Sequence, residues 1–182
     1  MVFRQLPIEG AFVIGLEKRE DSRGFFARAF CANEFDAHGL ATHFVQGNLS
    51  LSERKGCIRG LHYQVPPSTE AKLLRCIRGA THHVLVDMRP SSPTHGRHCA
   101  VELTPTGRQA LYVPEVCATG YQALVDSSEI MYLVSGFYDP DQERGIRYDD
   151  PALGISWPLP VSDISEKDLS WPSVTIDGVR TT

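Results

Sequence analysis

Residues 56–64 read Gly-Cys-Ile-Arg-Gly-Leu-His-Tyr-Gln, so His62 follows Arg59 by three residues, and Lys72 comes next beyond a Pro66-Pro67 turn. An imidazole takes up and releases protons near neutral pH. Fixed cations beside it can stabilise the oxyanion that develops when a proton leaves a carbon next to a carbonyl. Arg59, Lys72 and Arg75 in one short stretch are costly to bury without an anionic partner, so they form either a solvated face or the wall of an anion-binding pocket. Strand alternation sets one condition on the pocket reading. Arg59 and His62 have opposite parity, and a bulge or bend near Gly60 is needed to bring both to one side.

Two further residue types complete such a chemistry. Tyr132 and Tyr138 flank Ser135-Gly136 in an expected strand and its exit. A phenol can return a proton to the face opposite the base, which is what inversion of a carbon centre requires. Asp168, after Ser165-Glu166-Lys167, is a carboxylate that can orient an imidazole. Other chemistries lack their parts. His62-Tyr63-Gln64 is not the H-x-H pair of a strand-borne metal site. His82 and His83 are adjacent and would project to opposite faces of a strand. The sequence has no G-x-G-x-x-G turn, P-loop or G-x-S-x-G elbow.

The elements that must position these groups read as β-strands. Twelve prolines and fifteen glycines punctuate short β-rich segments, the pattern of a sandwich or barrel. The clearest strand is 82–89, with Val84, Val86 and Met88 on one face and Leu85, Asp87 and Arg89 on the other. Segments 98–104, 108–113, 120–125 and 129–138 read as further strands separated by turn residues. One short helix is expected at 32–38, capped by Asn33, and a second near 163–169. Past residue 140, Pro151, Pro158, Pro160 and Pro172 imply an irregular tail that hugs the surface. An all-β antiparallel sandwich or jelly roll satisfies this pattern better than any βαβ scheme.

The 182 residues suit a single domain, 1–182, and no linker or repeat divides them. A net charge of −4, with 42% hydrophobic and 22% charged residues, disfavours a general nucleic-acid or membrane-surface binder. No apolar run approaches a membrane span and no apolar leader segment is present, so a cytoplasmic location is expected. The five cysteines lack a CxxC pair and read as small buried hydrophobes rather than a disulfide framework or zinc site.

Taken together, these stretches resemble the dTDP-4-dehydrorhamnose 3,5-epimerase family along nearly the whole chain. The resemblance rests on Asp21-Ser-Arg-Gly-Phe-Phe26, Val45-Gln-Gly-Asn-Leu-Ser50, Lys55-Gly-Cys-Ile-Arg-Gly-Leu-His-Tyr-Gln64 and Glu70-Ala-Lys72. It continues through Leu111-Tyr-Val-Pro114, Met131-Tyr132, Phe137-Tyr-Asp-Pro140, Ile155-Ser-Trp-Pro158 and Ser165-Glu-Lys-Asp168. It implies a cupin-like jelly roll, a homodimer, no metal and no cofactor, and a nucleotide-diphosphate sugar as substrate. It further implies His62 as base, Asp168 as its orienting partner and Tyr132 as acid, with Arg59 and Lys72 holding the enolate oxygen. Arg23, Gln46, Asn48, Tyr138 and Lys167 would line the nucleotide-sugar cleft, some of them lent by a neighbouring subunit.

The chain also departs from the family pattern. Where the family has Val-Pro-x-Gly-x-Ala-His-Gly-Phe, this sequence reads Val113-Pro-Glu-Val-Cys-Ala-Thr-Gly-Tyr121. Thr119 thus replaces a histidine associated with the substrate pocket, keeping a hydroxyl but losing a cation. His83 stands where an aspartate is usual and Arg28 where a glutamate is common. Three charge-altering changes around one expected pocket point to a changed substrate. Two alternatives stay open: an epimerase restricted to one carbon, and a nucleotide-sugar binder without turnover.

Overall fold

A computed structural model describes residues 1–174 of the chain. The first part runs β1 (Val2–Gln5), β2 (Phe12–Gly15), β3 (Lys18–Asp21), β4 (Gly24–Ala27), α1 (Ala32–Asp36) and β5 (Gln46–Ser52). The middle holds β6 (Ile58–Gln64), β7 (Lys72–Arg78), β8 (Thr81–Asp87), β9 (His98–Leu103) and β10 (Gln109–Val113). The last part holds β11 (Cys117–Ala123), β12 (Ser128–Val134), β13 (Glu143–Gly145) and α2 (Glu166–Leu169). Among the described residues a six-stranded sheet has the order β1-β2-β10-β7-β12-β5, a five-stranded sheet the order β13-β6-β11-β8-β9, and β3 pairs only with β4. Every strand pairing is antiparallel, as expected of a cupin-like jelly roll.

The hydrophobic pattern explains how the two large sheets face each other. From the six-stranded sheet, Val13, Leu74, Leu111 and Ile130 point inward, and Leu85, Leu103, Cys117 and Tyr121 meet them from the other. β8 is covered on both faces, with Leu85 in this inner core and Val84 and Val86 outside it. The outer cover comes from the proline-rich tail: Ile146, Tyr148, Leu153, Ile155 and Trp157 pack over Leu61, Val84, Val86 and Ala118. On the far side, Phe35 and Leu40 around α1 cover Ile14, Leu73, Ala110 and Tyr112.

Several boundaries differ from those read in the sequence. The N-cap of α1 is Cys31, without a side-chain cap bond, and Asn33 lies inside the helix, which ends at Asp36. Gly39, at a φ of +68°, then turns the chain. β12 stops at Val134 instead of 138, because the Ser135 hydroxyl accepts the Ala71 N–H at 2.8 Å in place of a backbone carbonyl. β11 begins three residues earlier than expected, at Cys117. β13 was not foreseen: Glu143-Arg-Gly carries no alternation, and it forms because the edge of β6 offers unpaired backbone groups.

The bend required near Gly60 is present. Thr119 faces His62 and Tyr121 faces Arg59, so one residue of β11 opposes two of β6. That extra residue shifts side-chain alternation by one and turns Arg59 and His62 to the same side. Glycine is needed at both crossing points. Gly60 has a φ of +109°, and a Cβ there would lie 2.6 Å from the Gly120 Cα. A Cβ on Gly120 would stand 2.6 Å from the Arg59 carbonyl oxygen.

Candidate active site

A cleft of about 420 Å³ opens between the sheets, with Arg59, His62 and Thr119 on one wall and Lys72 and Tyr132 on the other. Residues 163–168 close one edge and bring Lys167 and Asp168 to it. An adjoining hollow of about 340 Å³ shares His62, Lys72 and Tyr132 and adds Gln46, Asn48 and Tyr138. Ten of the eleven residues singled out from the sequence therefore line one continuous groove. Arg23 is the exception. It sits on the exposed β3–β4 hairpin, where its guanidinium pairs with Asp21 at 2.7 Å.

His62 and Asp168 form the tightest contact in the groove. The His62 Nε2–H donates to Asp168 Oδ1 at 2.6 Å, which leaves Nδ1 as the basic nitrogen. Burial pushes the Asp168 carboxyl up, but the His62 imidazole, the Gly60 N–H and the Ser165 hydroxyl outweigh it and hold the group below the usual carboxylate range. Ser165 also caps α2 by accepting the Asp168 N–H at 3.1 Å, so the helix start fixes the carboxylate. Asp168 is thus anionic at neutral pH and accepts from the imidazole, the geometry a carboxylate has in hydrolase triads.

Tyr132 reaches the groove from the opposite sheet. Burial above all, and then Glu70 and Tyr121, raise its phenol above the ordinary value against the smaller pull of Arg59. The phenol is therefore protonated across the neutral range and available as a donor. Arg59 is anchored to β5, its Nε donating to Ser52 Oγ at 3.2 Å and its Nη2 to the Leu51 carbonyl at 2.9 Å. Lys72 lies 3.1 Å from Glu70 Oε1 and donates to the His62 carbonyl at 3.4 Å.

The atypical positions behave differently from one another. Thr119 is buried on the groove wall, and its hydroxyl donates to the Val84 carbonyl at 3.0 Å, which leaves only acceptor capacity there. His83 is fully buried, and burial pushes its pKa down to about 3, so this imidazole is neutral. Arg28 does not line this chain's groove. It lies in a separate hollow with Met1, Glu17 and Arg19, 3.9 Å from Glu34.

Three contributors were not singled out in the sequence. Glu143 accepts from the Tyr138 hydroxyl at 2.8 Å and from Lys167 Nζ at 2.5 Å, tying two groove residues together. Glu70 balances Lys72. Trp171 packs against Gly145, where any side chain would collide with the indole, and meets His62 edge-on with ring centres 6.2 Å apart. The Glu70-Ala-Lys72 spacing was the one available signal, since residues i and i+2 of an extended chain share a side. Glu143 and Trp171 are set by tertiary packing alone.

A family model described as dTDP-4-dehydrorhamnose 3,5-epimerase matches residues 5–175. A protein of that name from Sinorhizobium fredii is 39% identical over 96% of this chain and 90% of its own length. A dTDP-4-dehydrorhamnose 3-epimerase from Streptomyces niveus is 39% identical over 92% of this chain and 81% of its own. The crystal structure of dTDP-4-dehydrorhamnose 3,5-epimerase from Elizabethkingia anophelis superposes with a TM-score of 0.91 at 34% identity, covering 95% of this chain and 96% of the other. No helix among the described residues is long and apolar enough to cross a membrane.

Proposed function

The chain belongs to the dTDP-4-dehydrorhamnose 3,5-epimerase family, and on that footing we propose that it is an isomerase inverting C3, C5 or both of a nucleotide-linked 4-keto-6-deoxy-sugar. The observation that carries this reading is one groove with the His62–Asp168 pair on one sheet and the Tyr132 phenol on the other. Both C3–H and C5–H of such a sugar lie next to the same ketone. His62 Nδ1 takes the proton, and Arg59 and Lys72 stabilise the enolate oxygen. Tyr132 returns a proton from the opposite face, which inverts the centre. The nucleotide lies toward Gln46, Asn48, Tyr138 and Lys167.

Incubating the protein with dTDP-4-keto-6-deoxyglucose in deuterated water tests the reading, with GDP, CDP and UDP analogues run alongside. Deuterium at C3 and C5 of an inverted product is the expected result. No exchange with any of the four would leave a binding protein instead. A single-carbon epimerase is the second reading, favoured by the Streptomyces niveus relative, and deuterium at one carbon only would select it.

The working unit in this proposal is a homodimer. Leu49, Leu51 and Met131 are exposed on β5 and β12, at the edge of the six-stranded sheet. Arg23 stands away from its own chain's groove, as a residue lent to a neighbouring subunit would. Sedimentation equilibrium should give twice the mass of one chain, and Met131→Asp should shift that mass toward the single chain. A monomeric wild-type protein would remove the shared-groove assignment of Arg23.

A further inference from the structure

The deep end of the groove holds a chain of hydroxyls that the reaction described above does not use. Arg59 Nε donates to Ser52 Oγ at 3.2 Å, Ser52 Oγ lies 3.1 Å from the Tyr121 hydroxyl, and that hydroxyl lies 3.0 Å from Ser50 Oγ. A guanidinium has protons to give and no lone pair to offer, so Ser52 must accept at this contact. Ser52 is 1% exposed, and among the described residues its own proton has one acceptor within reach, the Tyr121 oxygen. The opposite direction would strand a buried donor, which folded proteins avoid. Tyr121, itself buried, then passes its proton to Ser50. The neutral ring of His83 backs Tyr121, with centres 5.4 Å apart and planes 33° apart, and fixes the phenol in place. Ser50 is the only member whose proton has no protein acceptor among the described residues, and it lines the groove.

We infer that Ser50 is a specificity-determining residue that donates its hydroxyl proton to an oxygen of the sugar away from the reacting carbons, with Tyr121 as the positioning residue that links it to Arg59. The relay starts on a cation and every step points the same way, so each bond strengthens the next and Ser50 becomes a better donor than an isolated serine. The enolate oxygen is already served by Arg59 and Lys72, so the Ser50 partner is an oxygen present equally in substrate and transition state. Such a contact contributes to binding rather than to the chemical step.

This inference rests on the epimerase reading, and the experiment separates the two. Wild type, Ser50→Ala, Tyr121→Phe and the double variant are compared on dTDP-4-keto-6-deoxyglucose, with deuterium uptake by wild type as the control. Each single variant should raise KM about tenfold with kcat within about twofold of wild type, the size expected for one hydrogen bond. The double variant should match the singles, because Tyr121 acts through Ser50. Ser50→Thr, which keeps the hydroxyl, should restore most of the affinity. A hundredfold rise in the double variant, or a fall in kcat at constant KM, would overturn the relay. So would unchanged kinetics in either single variant. Absence of deuterium uptake by wild type on the dTDP sugar and on its GDP, CDP and UDP analogues would overturn the epimerase reading itself and the relay with it.

Discussion

Replacing His62 with alanine should abolish deuterium uptake at the substrate carbons while the protein still folds. Loss of a positioned general base lowers the rate about 10²–10⁴-fold. The carboxylates nearest His62 and Lys72 are already engaged: Asp168 accepts from the Gly60 N–H, Glu143 accepts from Tyr138 and Lys167, and Glu70 pairs with Lys72. The fold is expected to tolerate the change, because His62 is half-buried at the groove and its backbone register with Thr119 and Gly145 does not depend on the ring. Asp168 keeps its Gly60 and Ser165 contacts, so the carboxylate is not left without partners. Proton NMR in deuterated water reads the exchange, and circular dichroism reads the melting. Exchange at wild-type rate in a folded His62→Ala protein would move the base to another residue.

How far the site can be read from sequence depends on how its parts are connected. Arg59 and His62 are neighbours on one strand, so their proximity needed only a local bend. The glycine at position 60 marked where that bend falls, and the two-against-one register with β11 is its realised form. Asp168 is a different matter. It reaches His62 from a proline-rich tail with no periodicity, so its residue type made it a candidate and only the resemblance paired it with His62. Glu143 escaped notice because it sits on a three-residue strand that exists only through pairing with β6. The strand bodies were legible because alternation reports burial, as in β8, whereas their ends depend on single side chains such as Ser135.

The substitutions at 83, 119 and 121 show the same divide between local chemistry and packing. A histidine in place of an aspartate reads as a change of charge, yet burial makes His83 neutral and places it behind Tyr121. Thr119 reads as a retained hydroxyl, yet Val84 takes its proton. Tyr121 reads as one aromatic in place of another, but its hydroxyl contacts two serines of β5. At these three positions the change is thus a rearrangement of neutral hydrogen-bonding groups around Arg59.

Changing Tyr132 to phenylalanine should separate two events that are coupled in the wild-type protein. The base on the other wall is untouched, so His62 still removes the proton and, after exchange with solvent, returns a deuteron to the same face. Deuterium uptake with retained configuration should therefore continue, while inversion falls by about 10²-fold or more. Phenylalanine keeps the ring that packs against the inner core, so stability should change little. The raised phenol gives a second signature. In wild type the donor stays protonated beyond the ordinary phenol value of about 10, so ionisation of Tyr132 should not limit inversion anywhere between pH 6 and 9. Product stereochemistry and deuterium content, measured in one NMR experiment, give both quantities. Equal loss of uptake and inversion in Tyr132→Phe would mean that the phenol serves the enolate oxygen or the base, and the proton for the opposite face would have to come from elsewhere.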